Sequence, residues 1–402
     1  MLFAYFKTIL LLLQQNTPTQ TYSIQELINN ASAHDTIYIE QNIYSENSLH
    51  ITKPVTLIGK NFPVLDGQSK NEILLIESND VTIRGFVFRN SGYSSMKDLS
   101  ALKIVNAQNV RIESNIFQNN TFAIYLANAI DCRVMNNTIS SGTVKEINSG
   151  NGIHLWKCDS ISIENNSITG HRDGIYFEFV TNTLIRKNRS EGNLRYGMHF
   201  MFSEGNSYQE NIFRNNGAGV AVMYSKNIIM MENTFADNVG ASSYGILLKD
   251  ISDSRIEHNV FHNNTHGIYL EGSNRNQVLR NVFENNGWAA KIQASCYDNQ
   301  FSKNNFFGNS FDMSTNGTLV MNTFDGNYWD KYEGYDLNKD ATGDVPYNPV
   351  SLYSMITDRI PYAMLLYRSF MVYLLDRSEK VLPGIIPEAL KDNTPFMKPV
   401  EI

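Results

Sequence analysis

Short apolar runs alternate with Asn, Gly, Ser and Asp on a steady beat through most of this chain. An Asn followed two residues later by an apolar or small residue recurs at Asn115, Asn137, Asn166, Asn188, Asn211, Asn233, Asn259, Asn281 and Asn305, in steps of 22 to 29 residues. A second marker keeps the same period: Gly152-Ile153-His154, Gly174-Ile175-Tyr176, Gly197-Met198-His199, Gly219-Val220-Ala221, Gly245-Ile246-Leu247 and Gly267-Ile268-Tyr269. A fixed repeat of this length marks a solenoid, in which each unit buries its apolar face only by stacking on the next. Each unit holds alternating strand-like runs broken by turn residues and has no room for a helix. The pattern predicts an all-β fold, a right-handed parallel β-helix with rungs of about 22 to 24 residues.

The pattern also divides the chain. Residues 1–20 open with an apolar run carrying Lys7 and turn polar at Gln14, which suits a signal peptide better than a membrane span. Residues 21–75 read as an N-terminal cap and first strands. Ser23 is the expected helix N-cap, with Glu26 completing a capping box. Asp35 to Ile39 and Pro54 to Gly59 read as strands, and Leu65-Asp66-Gly67 as a turn. Rungs are expected from 76 to 327, with loops bulging at SSGTVKEINSG after Ile139 and around Gly240. Residues 328–402 form a C-terminal cap, in which Pro361 to Lys380 reads as one helix. That helix is apolar around most of its surface, more than one buried stripe needs, yet it is short and carries Arg368. It is expected to cap or to dock, with Tyr362, Leu366 and Phe370 as contact residues.

Composition adds little beyond exclusions. With 402 residues and 42% hydrophobic content the chain can bury a large core. A net charge of −7 argues against nucleic acid or an anionic membrane surface as the main partner. Cys132, Cys158 and Cys296 fall at non-matching repeat positions and are expected to be buried, reduced thiols.

Alternation assigns faces. Ile153, Leu155, Ile175, Phe177, Met198, Phe200, Val220 and Val222 must point inward, so their neighbours point outward. One outward column runs His154, Tyr176, His199, Ala221, Leu247, Tyr269; the next runs Trp156, Glu178, Met201, Met223, Lys249, Glu271. His199, Met201 and Met223 are expected on one exposed patch. Two thioethers beside an imidazole form a soft ligand set that favours Cu(I) over hard cations. His154 and His171 lie in the same third of the solenoid, and Glu178 neighbours Met201, so all three join the candidate ligands. The competing reading is protein docking, with Trp156 and Tyr176 as contacts, and both stay open. The repeated Asn residues are read as structural ladders.

Asp336-x-Asn338-x-Asp340-x-x-x-Asp344 resembles the start of a calcium loop, although Ala341 stands where an EF-hand needs Gly and Tyr347 where it needs Glu. A plain Asx-turn competes with calcium there. Parallel β-helices also include polysaccharide lyases, hydrolases and epimerases, which need acids gathered within roughly 5 to 10 Å. Glu178 and Glu271 are expected four rungs apart, about 19 Å. Asp173 has no evident carboxylate mate, and Arg172 is its expected neutralising partner. A carbohydrate-acting enzyme is therefore the alternative, with no catalytic residues assigned.

Three ordered segments carry a resemblance. His171-Arg-Asp-Gly-Ile-Tyr-Phe177, Leu194-Arg-Tyr-Gly-Met-His-Phe-Met-Phe-Ser203 and Asn215-Asn-Gly-Ala-Gly-Val-Ala-Val-Met-Tyr-Ser225 resemble the NosD family of periplasmic β-helix proteins. Phe200 stands where the family pattern often has Tyr. The resemblance implies a non-enzymatic periplasmic protein that sits on an ABC transporter membrane subunit and helps to assemble the copper centres of nitrous oxide reductase. It further implies transient receipt of copper from a small chaperone lipoprotein. His199, Met201 and Met223 fall inside the matching segments.

Overall fold

The computed structural model describes residues 23–46, 48–142, 149–317, 321–367, 369–381 and 390–402; the expected leader and the middle of the loop after Ser141 lie outside them. Successive strands turn from one sheet to the next and return after three, building parallel sheets of 13, 13 and 12 strands. The expected parallel β-helix is the observed fold. Its regular coil already begins at Thr36, paired with Thr56, and ends at Tyr328–Trp329.

Two things hold the rungs in register. Inside, like stacks on like: Phe213, Phe235, Phe261, Phe283, Phe306 and Trp329 form one column with ring centroids 5.5, 5.0, 4.7, 4.8 and 4.0 Å apart. All six are buried, which is the main stabilising term. At one corner, a ladder runs Asn115, Asn137, Asn166, Asn188, Asn211, Asn233, Asn259, Asn281, Asn304, Asn327. From Asn137 onward each side-chain oxygen accepts the backbone N–H and the amide N–H of the Asn below, as Asn137 does from Asn115 at 3.0 and 3.2 Å. The same Asn115 amide also donates to the Ile83 carbonyl, so one side chain satisfies buried polar groups of three rungs. The ladder residue near the end is Asn304 rather than Asn305, which the period alone could not separate. Asn305 instead grips the Val400 backbone through both its amide groups, at 2.8 Å each.

The repeated Gly is explained by crowding. A Cβ on Gly197 would stand 2.7 Å from the Gly219 carbonyl oxygen and 3.0 Å from the Phe213 ring. Leu65-Asp66 belongs to the strand Val64–Asp66 and only then turns. Helix α1 (Ile24–Asn30) is not closed by a capping box, because Ser23 makes no side-chain cap. Glu46 supplies it, accepting from the backbone of Ile24 at 2.8 Å and of Gln25 at 3.3 Å and from Ser23 Oγ at 2.6 Å. The C-terminal segment is not one helix. It comprises α2 (Leu352–Arg359), a 3₁₀ turn over Pro361–Leu366, and α3 (Phe370–Val381), with Tyr367 extended at ψ 132° between the last two. Tyr353 of α2 and Val372 of α3 cluster with Phe311 of the strand Phe311–Ser314.

Asp392 closes the ladder. Its carboxylate accepts from Gly326 N, Asn327 N, Asn327 Nδ2, Trp329 Nε1 and Thr394 N at 2.9 to 3.1 Å. Asp392→Ala is expected to cost on the order of 3 kcal/mol or more, since it leaves several buried donors unmet. Asp392→Asn, which continues the ladder, is expected to cost far less. Denaturant midpoints and hydrogen exchange of the last rung check this; equal losses in the two variants would remove the ladder-terminating role.

Candidate functional site

One stretch of the solenoid breaks the rule that buried polar groups are paired. A second corner ladder runs Asn193, Asn216, Asn238, Asn264, Asn286, Asn309, and His171 takes the place below Asn193. His171 N donates to Asn193 Oδ1 at 3.2 Å, but its ring offers no ladder amide. Among the described residues, seven buried side-chain atoms lack a hydrogen-bond partner, and four of them are His171 Nδ1, His171 Nε2, Arg172 Nε and His199 Nε2. Violations gathered in one place are the mark of a site rather than of careless packing.

Around them the outward face of the third sheet carries an aromatic and basic column. Phe122, Tyr125, His154, Tyr176 and His199 follow one another with ring centroids 6.0, 4.3, 4.7 and 5.2 Å apart, with Lys103 over the Tyr125 ring at 5.1 Å. His199 is additionally flanked by Tyr196 at 4.9 Å. The face is more closed than alternation suggests, for His154 and His199 are 8% and 6% exposed. Asp173 is fully buried and lies 2.9 and 2.5 Å from Nε and Nη2 of Arg195, with His199 Nδ1 3.6 Å away. Arg195 is thus its main partner, whereas the expected Arg172 keeps Nε 4.0 Å off. Burial pushes the Asp173 carboxyl up, but the adjacent His199 and the hydrogen-bonded Arg195 guanidinium outweigh it and hold the group below its ordinary range.

The candidate ligands sort by register. Glu178, Met201 and Met223 are successive neighbours on adjacent rungs, half-buried, with His199 two residues before Met201 on the same face. These four share a patch. His154 does not join them, because the Tyr176 ring stands between it and His199, at 4.7 and 5.2 Å. Nor does His171, which is wholly buried at the corner. Trp156 is half-buried below Glu178 and under the Lys157 ammonium at 4.4 Å. No three or more His, Cys, Asp or Glu among the described residues stand close enough to hold a metal, so a metal at this patch must use the thioethers. The cysteines are free and buried, and burial pushes the Cys132 and Cys158 thiols up to about 11 and 12, which leaves them inert. In the acidic loop the side chains of Asp336, Asn338, Asp340 and Asp344 accept from the N–H groups of residues 337 and 339–342, an Asx-turn arrangement.

A feature beside the patch escaped the sequence reading. In eight successive strands of this sheet, from Ser100–Val105 to His266–Glu271, the residue after the strand turns the corner with positive φ, and Asn106, Asn128 and Asp250 suit that place. Phe179, Phe202 and Tyr224 occupy it at φ 56, 50 and 51°. Their rings stack at 5.3 and 5.1 Å while staying exposed, and they line a shallow hollow of about 550 Å³ with Lys226 and Asp250. Bulky residues in the left-handed region carry strain that packing at an exposed corner does not repay. Three aromatics standing in a column of turn formers are visible in the sequence once the register is known.

Fold and site together define a parallel β-helix that presents a soft donor set and exposed aromatic rings on one long face. Residues 135–334 match the family model described as "Periplasmic copper-binding protein (NosD)". Proteins named probable ABC transporter binding protein NosD from Stutzerimonas stutzeri and Pseudomonas aeruginosa are each 27% identical to the chain over 368 residues, 87% of it and 84% or 85% of theirs. The chain belongs to the NosD family. Among solved structures it shares its fold with the A-module of the mannuronan C-5 epimerase AlgE6 of Azotobacter vinelandii, at TM-score 0.54 and 13% identity over 75% of this chain and 92% of that one. It likewise resembles PfbA, a surface adhesin of Streptococcus pneumoniae, at TM-score 0.52 and 15% identity over 69% and 85%. An epimerase and an adhesin on one scaffold illustrate that the β-helix by itself fixes no activity.

Burial lowers the His171 pKa to about 4 and that of His154 to about 3. A folded-state pKa below the unfolded value means the unfolded chain takes up more protons, so stability is full above pH 6.5 and falls as pH drops toward 4. His171→Asn, which continues the ladder, is expected to shrink that fall. Urea midpoints at pH 7.5 and 5 test it, and an identical pH dependence in variant and parent would count against the buried imidazole as its cause.

Proposed function

We propose that this chain is a periplasmic, non-enzymatic accessory protein that works with an ABC transporter and receives Cu(I) as cargo for the copper centres of nitrous oxide reductase. The carrying observation is His199 Nε2, buried and unpartnered, on the same face as the paired thioethers Met201 and Met223. Neutral imidazole and thioethers suit Cu(I), and no carboxylate cluster competes for a hard ion among the described residues. The family description and the relatives' names support the copper and transporter parts of the reading.

The exposed stack of Phe179, Phe202 and Tyr224 adjoins the Met pair and is the surface on which a copper-donating lipoprotein docks. A second docking surface is the outer side of the C-terminal segment, where Tyr362, Leu365, Leu366, Phe370 and Met371 are 51 to 87% exposed. An apolar area of this kind fits the transporter's membrane subunit. The carbohydrate-acting alternative is disfavoured by chemistry. Asp173 is already committed to Arg195, and burial, together with the Glu178 charge, pushes the Tyr176 phenol up to about 12.

Anaerobic Cu(I) titration against a competing chelator should show tight binding that is lost in a His199→Ala, Met201→Ala, Met223→Ala variant. Absence of binding by the parent protein would overturn the copper reading. Docking separates by variant. Phe202→Asn should keep or raise thermal stability, because Asn tolerates the left-handed corner, while weakening capture of the lipoprotein. Tyr362→Glu with Phe370→Glu should weaken co-purification with the transporter and leave Cu(I) affinity unchanged. Loss of neither partner would remove both surfaces.

A further inference from the structure

The geometry of the corner ring stack restricts what can sit on it. Each ring follows directly on a residue of the patch: Glu178-Phe179, Met201-Phe202 and Met223-Tyr224. Phe202 lies between two near-parallel neighbours, at interplanar angles of 15° to Phe179 and 10° to Tyr224, with centroids 5.3 and 5.1 Å away. Both of its faces are therefore covered, yet 44% of the residue is exposed. The stack thus offers ring edges along its length. Edges decide the class of ligand. A cation is held over a ring face, whereas the edge carries the positive part of the ring quadrupole and suits a lone pair. A sugar needs unengaged hydroxyl partners, but the Ser203 and Ser225 hydroxyls in the hollow already donate to the Met201 and Met223 carbonyls at 2.8 Å each. They also accept from Val180 N and Ser203 N at 3.2 Å each. Glu204 and Asp250 line the hollow against Lys226, which is itself 3.3 Å from Glu204, so a carboxylate is repelled. A neutral, polarisable bearer of lone pairs remains, and the methionine thioether is one: its sulfur favours ring edges at about 5 Å.

We propose that the occupant of this hollow is an extended, methionine-bearing segment of the partner protein, its thioether sulfurs set against the ring edges of Phe179, Phe202 and Tyr224. The proposal rests on the docking reading above and adds the chemistry of the segment that docks. In an extended chain, methionines at alternate positions stand about 6.6 Å apart on one side, so two or three of them run along the stack. The left-handed corner explains why rings are held here at a cost in backbone strain. It turns each ring out of the strand face while keeping it one residue from the patch, so a segment seated on the edges lies beside Met201 and Met223. Soft donors of the partner and of this chain are then neighbours, as the exchange of a soft cation between them requires. Aliphatic corner residues would give the same apolar area without the edge preference.

The test uses the full chain, free of metal, with 13C-labelled phenylalanine and tyrosine rings, titrated with an acetylated Met-Ser-Met-Ser-Met peptide. The ring signals of Phe179, Phe202 and Tyr224 should shift together and saturate. The same peptide with norleucine for methionine keeps the length and the apolar area but lacks sulfur, and should bind about 2- to 10-fold more weakly. Equal affinity for the two peptides, or ring signals that neither peptide moves, would overturn the proposal without any variant. Phe202→Leu keeps an apolar side chain and removes the central ring edge, and should bring the methionine peptide down to the norleucine level. A Phe202→Leu protein that still prefers methionine by the parent's margin would also sink the idea. Peptide binding by a protein with no Cu(I) affinity keeps this surface and removes the copper reading. Cu(I) affinity without peptide binding does the reverse, so the two failures are distinguishable.

Discussion

A parallel β-helix has corners where the backbone must turn while buried, and a turning, buried backbone has polar groups that no strand partner can reach. In this chain side-chain amides meet that demand. Within the ladders an Asn such as Asn166 accepts two N–H groups from the rung below, and its neighbour Asn137 donates to a carbonyl of an earlier rung, so adjacent rungs are locked at one spacing and one register. The aromatic column inside then stacks by necessity, because the ladders have already aligned it. Both ends of the coil are finished by carboxylates drawn from elsewhere in the chain: Glu46 closes the first helix and Asp392 closes the last rung. An anion is apt at each place, since both present clusters of unmet N–H groups.

The same regularity makes departures meaningful. His171 in a ladder position, a buried Asp173 with its arginine, and three aromatics at left-handed corners all cost stability. They stand within three consecutive rungs of one face, together with the Met201–Met223 pair. A fold of nearly identical rungs can localise function only by local exceptions of this kind, because its backbone is alike everywhere.

Polysaccharide enzymes with this architecture need open acidic clefts, while a carrier of a soft cation needs a sheltered, weakly charged donor set. The present face is sheltered and weakly charged, as the proposed cargo requires. His199 is almost covered, its neighbour carboxylate is already ion-paired, and the outermost residues of the patch are thioethers and rings. The scaffold is shared, and the difference lies in side chains that alternate outward from a common strand.

Period and alternation are local, so the repeat, the parallel sheets, the inward residues, the buried thiols and the His199–Met201–Met223 grouping could all be read from the chain itself. What depended on distant partners could not. Asn304 and Asn305 are indistinguishable by spacing, and only stacking on Asn281 and Asn327 selects the first. Glu46 rather than Glu26 caps the first helix because the returning coil brings it within reach. Arg195 rather than Arg172 neutralises Asp173, and Tyr176 screens His154 from His199, because parallel stacking sets residue against residue one rung away rather than one position away. Sequence thus determined which face each residue takes, through the two-residue period of a strand. The tertiary coil decided which side chains meet, since in a solenoid the decisive contacts join residues some 22 positions apart in the chain.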